Sequence, residues 1–256
     1  MLPALSPLAS AAESSDTQYF GSRAVSEAAL IGIFYDLKQD QKGATKRVRY
    51  EDVICEFLNK GWDETVLNQF FRAAQPLYTT QIFIPYIKAE NAPRAFGVEK
   101  TVKPSNWVIH YKGQVASLTG GTFRFVGLSD DLLAVAVNSR TVLMAPHPNF
   151  KFQIDWQPTE GPPTSGPNGP IKFGTWFTVK KDDVIDLDIL IGECPGGGFG
   201  AWLQIEEKGV TYAESETKHT RFPVFQLVPQ TLDPGIFKWG GVPFYSSPGP
   251  LWKGIQ

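Results

Sequence analysis

The sequence predicts an all-β protein, a barrel or sandwich of antiparallel strands with a short helical insertion. Glycine and proline supply 24 and 20 of the 256 residues, a share that favours turns over long helices. Aromatic residues make up 13% of the chain, which suits broad β surfaces. The clearest strand carries Trp107, Ile109 and Tyr111 on one face and Val108 and His110 on the other. This alternation predicts a strand with one buried face.

The charge and the N-terminal residues narrow the class of protein. A net charge of −2, without a block of basic residues, argues against nucleic acid as a partner. No apolar run reaches the length of a transmembrane helix. Residues 1–27 form a tail that lacks the basic start of a signal peptide. We interpret this tail as the end of a longer leader, or as an expression start placed after one, which suggests export.

The first predicted elements are a buried strand at residues 28–35 and a helical insertion at about residues 45–74. The strand is a compact apolar run. In the insertion, apolar residues recur at helical spacing, and Asp63 is placed to cap a second helix. We interpret the helical pair as a cover over one end of the barrel; the alternative is a partner-binding site. A β-type run at residues 77–87 follows, interrupted by Pro85.

Three short strands joined by two polar corners are predicted between residues 120 and 143. Asp130 and Asp131 lie in the first corner, and Asn138 lies in the second. Two adjacent carboxylates repel each other at neutral pH. They are tolerated if they are solvated, if one of them is protonated, or if a cation lies between them.

The second half of the chain contains further strands and two irregular segments. Residues 150–156 are predicted to form a strand. Residues 157–170 contain five prolines and form a stiff loop, which either frames a binding site or acts as a spacer. Strands are predicted up to residue 206, where the β domain that starts at residue 28 ends. Residues 207–256 are expected to wrap the barrel as an extended arm.

Two tryptophans of the closing strands are candidate ligand-binding residues. Strand alternation places Trp202 on the face opposite the apolar core. For Trp176, as for Trp202, the sequence leaves open whether the ring is exposed or covered. An exposed indole can stack on a sugar ring or on a partner side chain. The alternative is that the C-terminal arm covers these rings. The two cysteines, Cys55 and Cys194, do not form a disulfide framework, and their pairing is left open.

Several motifs within residues 28–206 resemble the PA14 domain family and occur in the family's order. They are the opening strand that ends in Phe34 and Tyr35, the spacing of Trp107, Tyr111 and Gly113, the run Gly121-Thr122-Phe123-Arg124-Phe125, the corners Ser129-Asp130-Asp131 and Asn138-Ser139-Arg140, and the closing strands. Two glycines of the family pattern are replaced here, by Leu132 and Ser139. Because glycine favours tight backbone geometry, these corners are expected to differ in shape.

The resemblance implies an all-β, barrel-like module. In the family's lectin-like branch, the pair that corresponds to Asp130 and Asp131 is joined by a cis peptide and holds a Ca²⁺ ion that binds sugar hydroxyls. That branch takes a further ligand, an asparagine, from a second loop. Asn149, Asn168 and Glu193 lie in loops of this chain but match no motif. The alternative for the aspartate pair is a solvated turn that caps backbone amides.

Motifs for catalysis are mostly missing from the sequence. It contains no H-E-x-x-H, no G-x-S-x-G, no P-loop and no D-T-G or D-S-G tripeptide, and its three histidines lack metal-ligand spacing. Asp130 and Asp131 could still act with a third carboxylate in a hydrolase.

From these features we predict a non-catalytic module that binds glycans or glycoproteins and is secreted, displayed on a cell surface or periplasmic. Its predicted site comprises Ca²⁺ at Asp130 and Asp131 and ligand contacts from Trp202, Trp176 and Asn138. One alternative is a hydrolase, an aspartic-type peptidase or a glycosidase, in which Asp130 and Asp131 act on mucin-like glycoproteins. Another is a structural or assembly module. The oligomeric state is not predicted.

Overall fold

The fold was analysed in a computed structural model, and the predicted all-β class is confirmed. The structure describes residues 17–162, 165–166, 169–215, 219–232, 238–239, 242–243, 245–246 and 249–255. Residues 1–16 of the predicted tail at residues 1–27, Asn168 and parts of the C-terminal arm lie outside the described residues.

Helices are few and short in the described part of the chain. A 3-10 helix spans Thr17–Phe20, and the α-helices are α1 (Tyr50–Asn59), α2 (Glu64–Leu67) and α3 (Asn91–Ala95). The predicted cap of α2 is confirmed, since the Asp63 side chain accepts a hydrogen bond from the Thr65 backbone N–H at 2.9 Å. None of these helices is long and apolar enough to cross a membrane.

The strands are numbered in chain order. They are β1 (Leu30–Asp36), β2 (Phe71–Arg72), β3 (Leu77–Thr79), β4 (Phe83–Lys88), β5 (Trp107–Ser117), β6 (Gly121–Asp130), β7 (Leu132–Val137), β8 (Arg140–Met144), β9 (Ser165–Gly166), β10 (Gly169–Pro170), β11 (Lys172–Phe173), β12 (Phe177–Val179), β13 (Val184–Glu193), β14 (Gly198–Glu207), β15 (Lys238–Trp239), β16 (Val242–Pro243) and β17 (Trp252–Ile255).

Two large antiparallel sheets form the body of the described structure. The first has the strand order β2-β1-β5-β13-β7-β8, with β3 also paired to β1 and β17 to β5. The second has the order β11-β6-β14-β4, with β12 also paired to β6. Two-stranded hairpins are formed by β9 with β10 and by β15 with β16. The chain crosses between the large sheets at several points, and two of these crossings follow β6 and β13.

Three apolar cores explain which strand faces are buried. The main core lies between the sheets, and the alternating residues Trp107, Ile109 and Tyr111 of β5 point into it. A second core lies between the first sheet and the helices α1 and α2. The prediction that β5 has a single buried face is therefore wrong. Val108 and His110, on its other face, are both fully buried because the helical insertion covers them.

The third core lies on the outer face of the second sheet. Phe222, Val224 and Tyr245 of the C-terminal segment pack there against Phe83 and Trp202. A hydrophobic sheet face is thus covered by an irregular segment instead of a third layer of regular structure.

One strand prediction is wrong. Residues 150–156 form no strand in the described part of the chain, although Phe150, Phe152, Ile154 and Trp156 do pack against the second core. Their alternation reflects packing of one edge of the segment against the helices. Cys55 and Cys194 are both free and half-buried.

Candidate functional site

The candidate site lies where two crossings between the sheets run side by side. Asp130 ends β6 in the second sheet, and β7 of the first sheet begins at Leu132. Glu193 ends β13 in the first sheet, and β14 of the second sheet begins at Gly198. Strand pairing holds the crossings together, because Gly192 is opposite Leu132. The pairing of β14 with β6 does the same on the other sheet.

Asp131 is fixed in the first crossing by three backbone contacts. Its N–H donates to the carbonyl of Gly192 at 3.2 Å, and its own carbonyl accepts from the N–H of His147 at 2.8 Å. Its Oδ2 accepts a hydrogen bond from the N–H of Cys194 at 2.8 Å. The side chain is buried, with 5% exposure. The peptide bond between Asp130 and Asp131 is cis, as the PA14 resemblance implies.

Glu193 is the third carboxylate of the site and is almost completely buried, with 1% exposure. Its Oε1 accepts a hydrogen bond from the N–H of Gly196 at 2.8 Å. Its Oε2 is buried and has no donor within reach among the described residues. Asp131 and Glu193 are close enough to share a hydrogen bond when one of them is protonated. The carboxyl group of Glu193 therefore lies against that of Asp131.

Burial makes both acids hard to ionise. Desolvation raises the pKa of Asp131 to about 8, and its hydrogen bond with Asp130 adds to the rise. Desolvation likewise raises the pKa of Glu193 to about 8, with the negative charge of Asp131 as the next cause. Among the described residues, no lysine or arginine forms an ion pair with these carboxylates. At neutral pH and without a cation, the cluster therefore retains a proton.

A cation could be held here by a mixed set of donor atoms. Carboxylate oxygens of Asp130 and Asp131 and a ring nitrogen of His147 all lie within 4.8 Å of one another. The oxygens fit Ca²⁺, which prefers carboxylate, carbonyl and hydroxyl ligands. The imidazole is instead a ligand that Zn²⁺ accepts more readily. The backbone N–H of Asn149 points at His147 Nδ1 at 3.3 Å.

These groups open into a cleft of about 410 Å³ at the rim of the two sheets. The remaining wall is formed by Tyr86, Asn149, Phe150, Pro195, Gly196 and Gly198. A larger cleft of about 710 Å³ lies beside the N-terminal segment and β3, away from the carboxylates. Of these two clefts, the smaller one brings charged and aromatic side chains together.

The other predicted site residues are not brought to this cleft. Trp202 is only 7% exposed, and its indole N–H donates to the carbonyl of Ile84 at 2.8 Å. The prediction that it offers an exposed ring is wrong, because the C-terminal segment covers that face of β14. The alternative that the arm covers this tryptophan is the one observed.

Trp176 and Asn138 lie at the far ends of strands that lead to the site. The half-buried ring of Trp176 stacks on the guanidinium of Arg124 at 4.5 Å, and the next residue, Phe177, pairs near the start of β6. Asn138 accepts a hydrogen bond from the backbone N–H of Asp186 at 2.9 Å and shapes the β7–β8 turn. The length of β7 separates Asn138 from Asp131 by about 20 Å.

Glu193, His147 and Tyr86 are the site residues that sequence reasoning missed. In the sequence Glu193 matches no motif, although it ends the alternating run of β13. A usable signal was that β13 and β7 are both fully apolar on their inner faces. Such strands are candidates for adjacent central positions, which would place their ends together.

Comparisons with known proteins give similarity in structure only. No protein-family model matches the sequence, and no curated protein matches it. A PA14 sugar-binding domain from an RTX adhesin is 15% identical over 73% of this chain and 93% of its own, with a TM-score of 0.44. The PA14 domain of the antifreeze protein MpAFP is 12% identical over 73% and 87%, with a TM-score of 0.43.

A third similar structure is the A domain of epithelial adhesin 6 from Candida glabrata, solved in complex with Galβ1-3GlcNAc. It is 10% identical over 73% of this chain and 83% of its own, with a TM-score of 0.47. PA14 domains, the family that the sequence resembles, are thus among the solved structures to which this chain is similar.

Proposed function

We propose that this chain is a module that binds carbohydrate or glycoprotein through a divalent cation, Ca²⁺, held by Asp130, Asp131 and Glu193. The observation that carries the proposal is the buried, unpartnered Oε2 of Glu193 beside the buried carboxyl of Asp131. Burying carboxylates without a compensating charge is unfavourable. A cation in the cleft would supply that charge and displace the shared proton.

The chain's own groups account for only part of a calcium shell. Ca²⁺ takes six to eight oxygen ligands, and three carboxylates with nearby carbonyls leave positions open toward the cleft. When bound, the ion would accept the hydroxyl oxygens of a sugar as further ligands. The carboxylates would orient those hydroxyls by accepting their hydrogen bonds. We place such a module outside the cytoplasm, as a secreted, cell-surface or periplasmic domain, where glycans are displayed.

Calcium titration of the purified chain tests this proposal. Binding at 100 times Kd stabilises a folded protein by about 2.7 kcal/mol, so the Tm should rise by roughly 5 to 10 °C and return with EDTA. The variants Asp130→Asn and Asp131→Asn should lose the shift. Asp52→Asn, on the exposed surface of α1, is the control that should keep it. A folded wild-type chain with no shift and no heat of Ca²⁺ binding would contradict the proposal.

The same titration with Mn²⁺ and Zn²⁺ decides the identity of the cation. If the carboxylates dominate, Ca²⁺ binds and His147→Ala has little effect on its affinity. If the imidazole is a ligand, Zn²⁺ binds more tightly than Mn²⁺ and Ca²⁺, and His147→Ala removes that preference.

A hydrolase is the second candidate function, because the structure supplies the third carboxylate that this alternative requires. Two adjoining buried carboxyls whose pKa values are both raised by burial share a proton at neutral pH, so one can act as the proton donor and the other as the base. Incubation with mucin would then release reducing ends or peptide fragments. Activity should vanish in Glu193→Gln and in Asp131→Asn. Activity that persists unchanged in both variants would come from another site or from a contaminant.

A further inference from the structure

Tyr86 stands at the rim of the acidic cleft with 59% of its side chain exposed. The other large apolar side chains that are exposed in the described structure are valines and one leucine. An aromatic ring of this size is normally packed or covered, and most others in this chain lie in the three cores. An exposed tyrosine ring beside a cluster of carboxylates is therefore unusual in this structure.

A bulge in the edge strand β4 turns Tyr86 toward the cleft. Ile87 pairs with Phe199, and Ile84 pairs with Ala201, so two residues of β4 face the single residue between them on β14. One of the two is Pro85, which has no N–H to donate to the ladder. Bulges of this kind redirect a side chain and are common beside functional sites. The regular alternation of β4 is broken at this point, and Tyr86 points outward.

Gly198 leaves room for the ring of Tyr86 at the edge of the cleft. A Cβ atom added at Gly198 would lie 2.0 Å from the hydroxyl oxygen of Tyr86 and 2.1 Å from its Cζ atom. The ring therefore rests on the backbone of the β13–β14 crossing, the same segment that carries Glu193. Burial, and then the charges of Asp130 and Glu193, raise the pKa of Tyr86, which agrees with a phenol held close to the carboxylates.

We propose that Tyr86 is the specificity-determining residue of the site and stacks on the C–H face of a neutral pyranose whose hydroxyls reach the carboxylates. This inference rests on the function proposed above. An aromatic ring offers a large, rigid, amphipathic contact at low entropic cost. The surrounding negative charge disfavours sugars that carry carboxylates, such as sialic acids and uronic acids. The ligand class is therefore a neutral glycan with an accessible apolar face.

The test is a glycan array that carries neutral and sialylated mammalian-type glycans, probed in Ca²⁺ with the wild type and three variants. Tyr86→Ala should lower the apparent affinity for the bound neutral glycans about tenfold. Tyr86→Phe should retain it, because the ring is kept. Gly198→Ala should behave like Tyr86→Ala, since the new methyl group displaces the ring. All variants should keep the wild-type Tm shift with Ca²⁺.

The outcomes separate this inference from the function on which it rests. Wild-type binding that is unaffected by Tyr86→Ala, or that prefers sialylated glycans, overturns the role of Tyr86 and leaves the cation site standing. A wild type that binds no glycan, or whose binding ignores EDTA, overturns the proposed function and this inference with it. A Tm shift lost in Tyr86→Ala would mean that the residue supports the site structurally, which also contradicts a stacking role.

Discussion

Glu193→Gln is the substitution that probes the buried acid cluster most sharply. Glutamine keeps the shape of the side chain and the acceptor for the N–H of Gly196. Its amide can donate a hydrogen bond to Asp131, which the ionised glutamate cannot do. In the absence of a cation, the variant should therefore be more stable than the wild type at alkaline pH.

The sign and size of this effect follow from the raised pKa. A carboxyl whose pKa rises on folding, from 4.5 to about 8, binds a proton in the folded chain that the unfolded chain has released. The free energy of unfolding therefore falls as the pH rises from 4.5 to about 8. The rise corresponds to about 5 kcal/mol. Because Asp131 carries part of the same repulsion, we expect the variant to recover roughly 2 to 3 kcal/mol at pH 8.5.

Thermal unfolding with EDTA at pH 5.0 and pH 8.5 measures this prediction. The Tm of Glu193→Gln should exceed that of the wild type by roughly 5 to 10 °C at pH 8.5, and the difference should shrink toward zero at pH 5.0. In saturating Ca²⁺ the order should reverse, since the variant loses a ligand charge. Glu56→Gln, on the exposed surface of α1, is the control for loss of a carboxylate. An equal Tm change at both pH values, or destabilisation at pH 8.5, would refute the reasoning.

Three further predictions concern the scaffold. In Gly32→Ala the new Cβ would lie 2.3 Å from a buried tyrosine ring, so we expect a loss of about 2 to 3 kcal/mol in urea unfolding; a loss below about 0.5 kcal/mol would mean that the ring moves freely. Arg124→Ala breaks a buried ion pair with Glu206 at 2.6 Å and should cost about 3 kcal/mol by calorimetry. When Arg124→Ala and Glu206→Ala are combined in a double variant, the total loss should be smaller than the sum of the two single losses; additive losses would exclude coupling. Thr141→Val removes the hydrogen bond of 3.0 Å that the Trp62 indole donates and should lower stability by about 1 kcal/mol, whereas Trp62→Phe removes the same bond and also leaves a cavity in the second core, so its loss should be larger; equal losses would contradict this reasoning.

The parts of the fold that local pattern dictates could be predicted from the sequence. The corner at Asp130, the cap at Asp63 and the alternation on the inner face of β5 each depend on neighbours within a few residues. The outer face of β5 could not be predicted in the same way. His110 is buried because a helical insertion far away in the sequence packs over it and because Asp188 accepts its hydrogen bond at 2.7 Å.

The site was only half predictable for the same physical reason. Two adjacent aspartates can be recognised in the sequence. Glu193 lies beside them only because β13 pairs with β7, about fifty residues away in the chain. The predicted exposure of the Trp202 ring was wrong for a related reason. Alternation gives the face on which a side chain lies but not what later covers that face, and here a C-terminal segment does. The exposed position of Tyr86 could not be predicted without the bulge at Pro85, which depends on the register of β4 with β14.

The central claim is that a cation binds between the β6–β7 and β13–β14 crossings, and a crystal grown in CaCl₂ tests this claim most directly. Diffraction data collected at long wavelength locate calcium by its anomalous signal. We expect a peak within bonding distance of carboxylate oxygens of Asp130, Asp131 and Glu193, and no such peak in crystals of Asp131→Asn. A well-ordered cleft without a peak at saturating Ca²⁺, or a peak elsewhere on the molecule, would contradict the account.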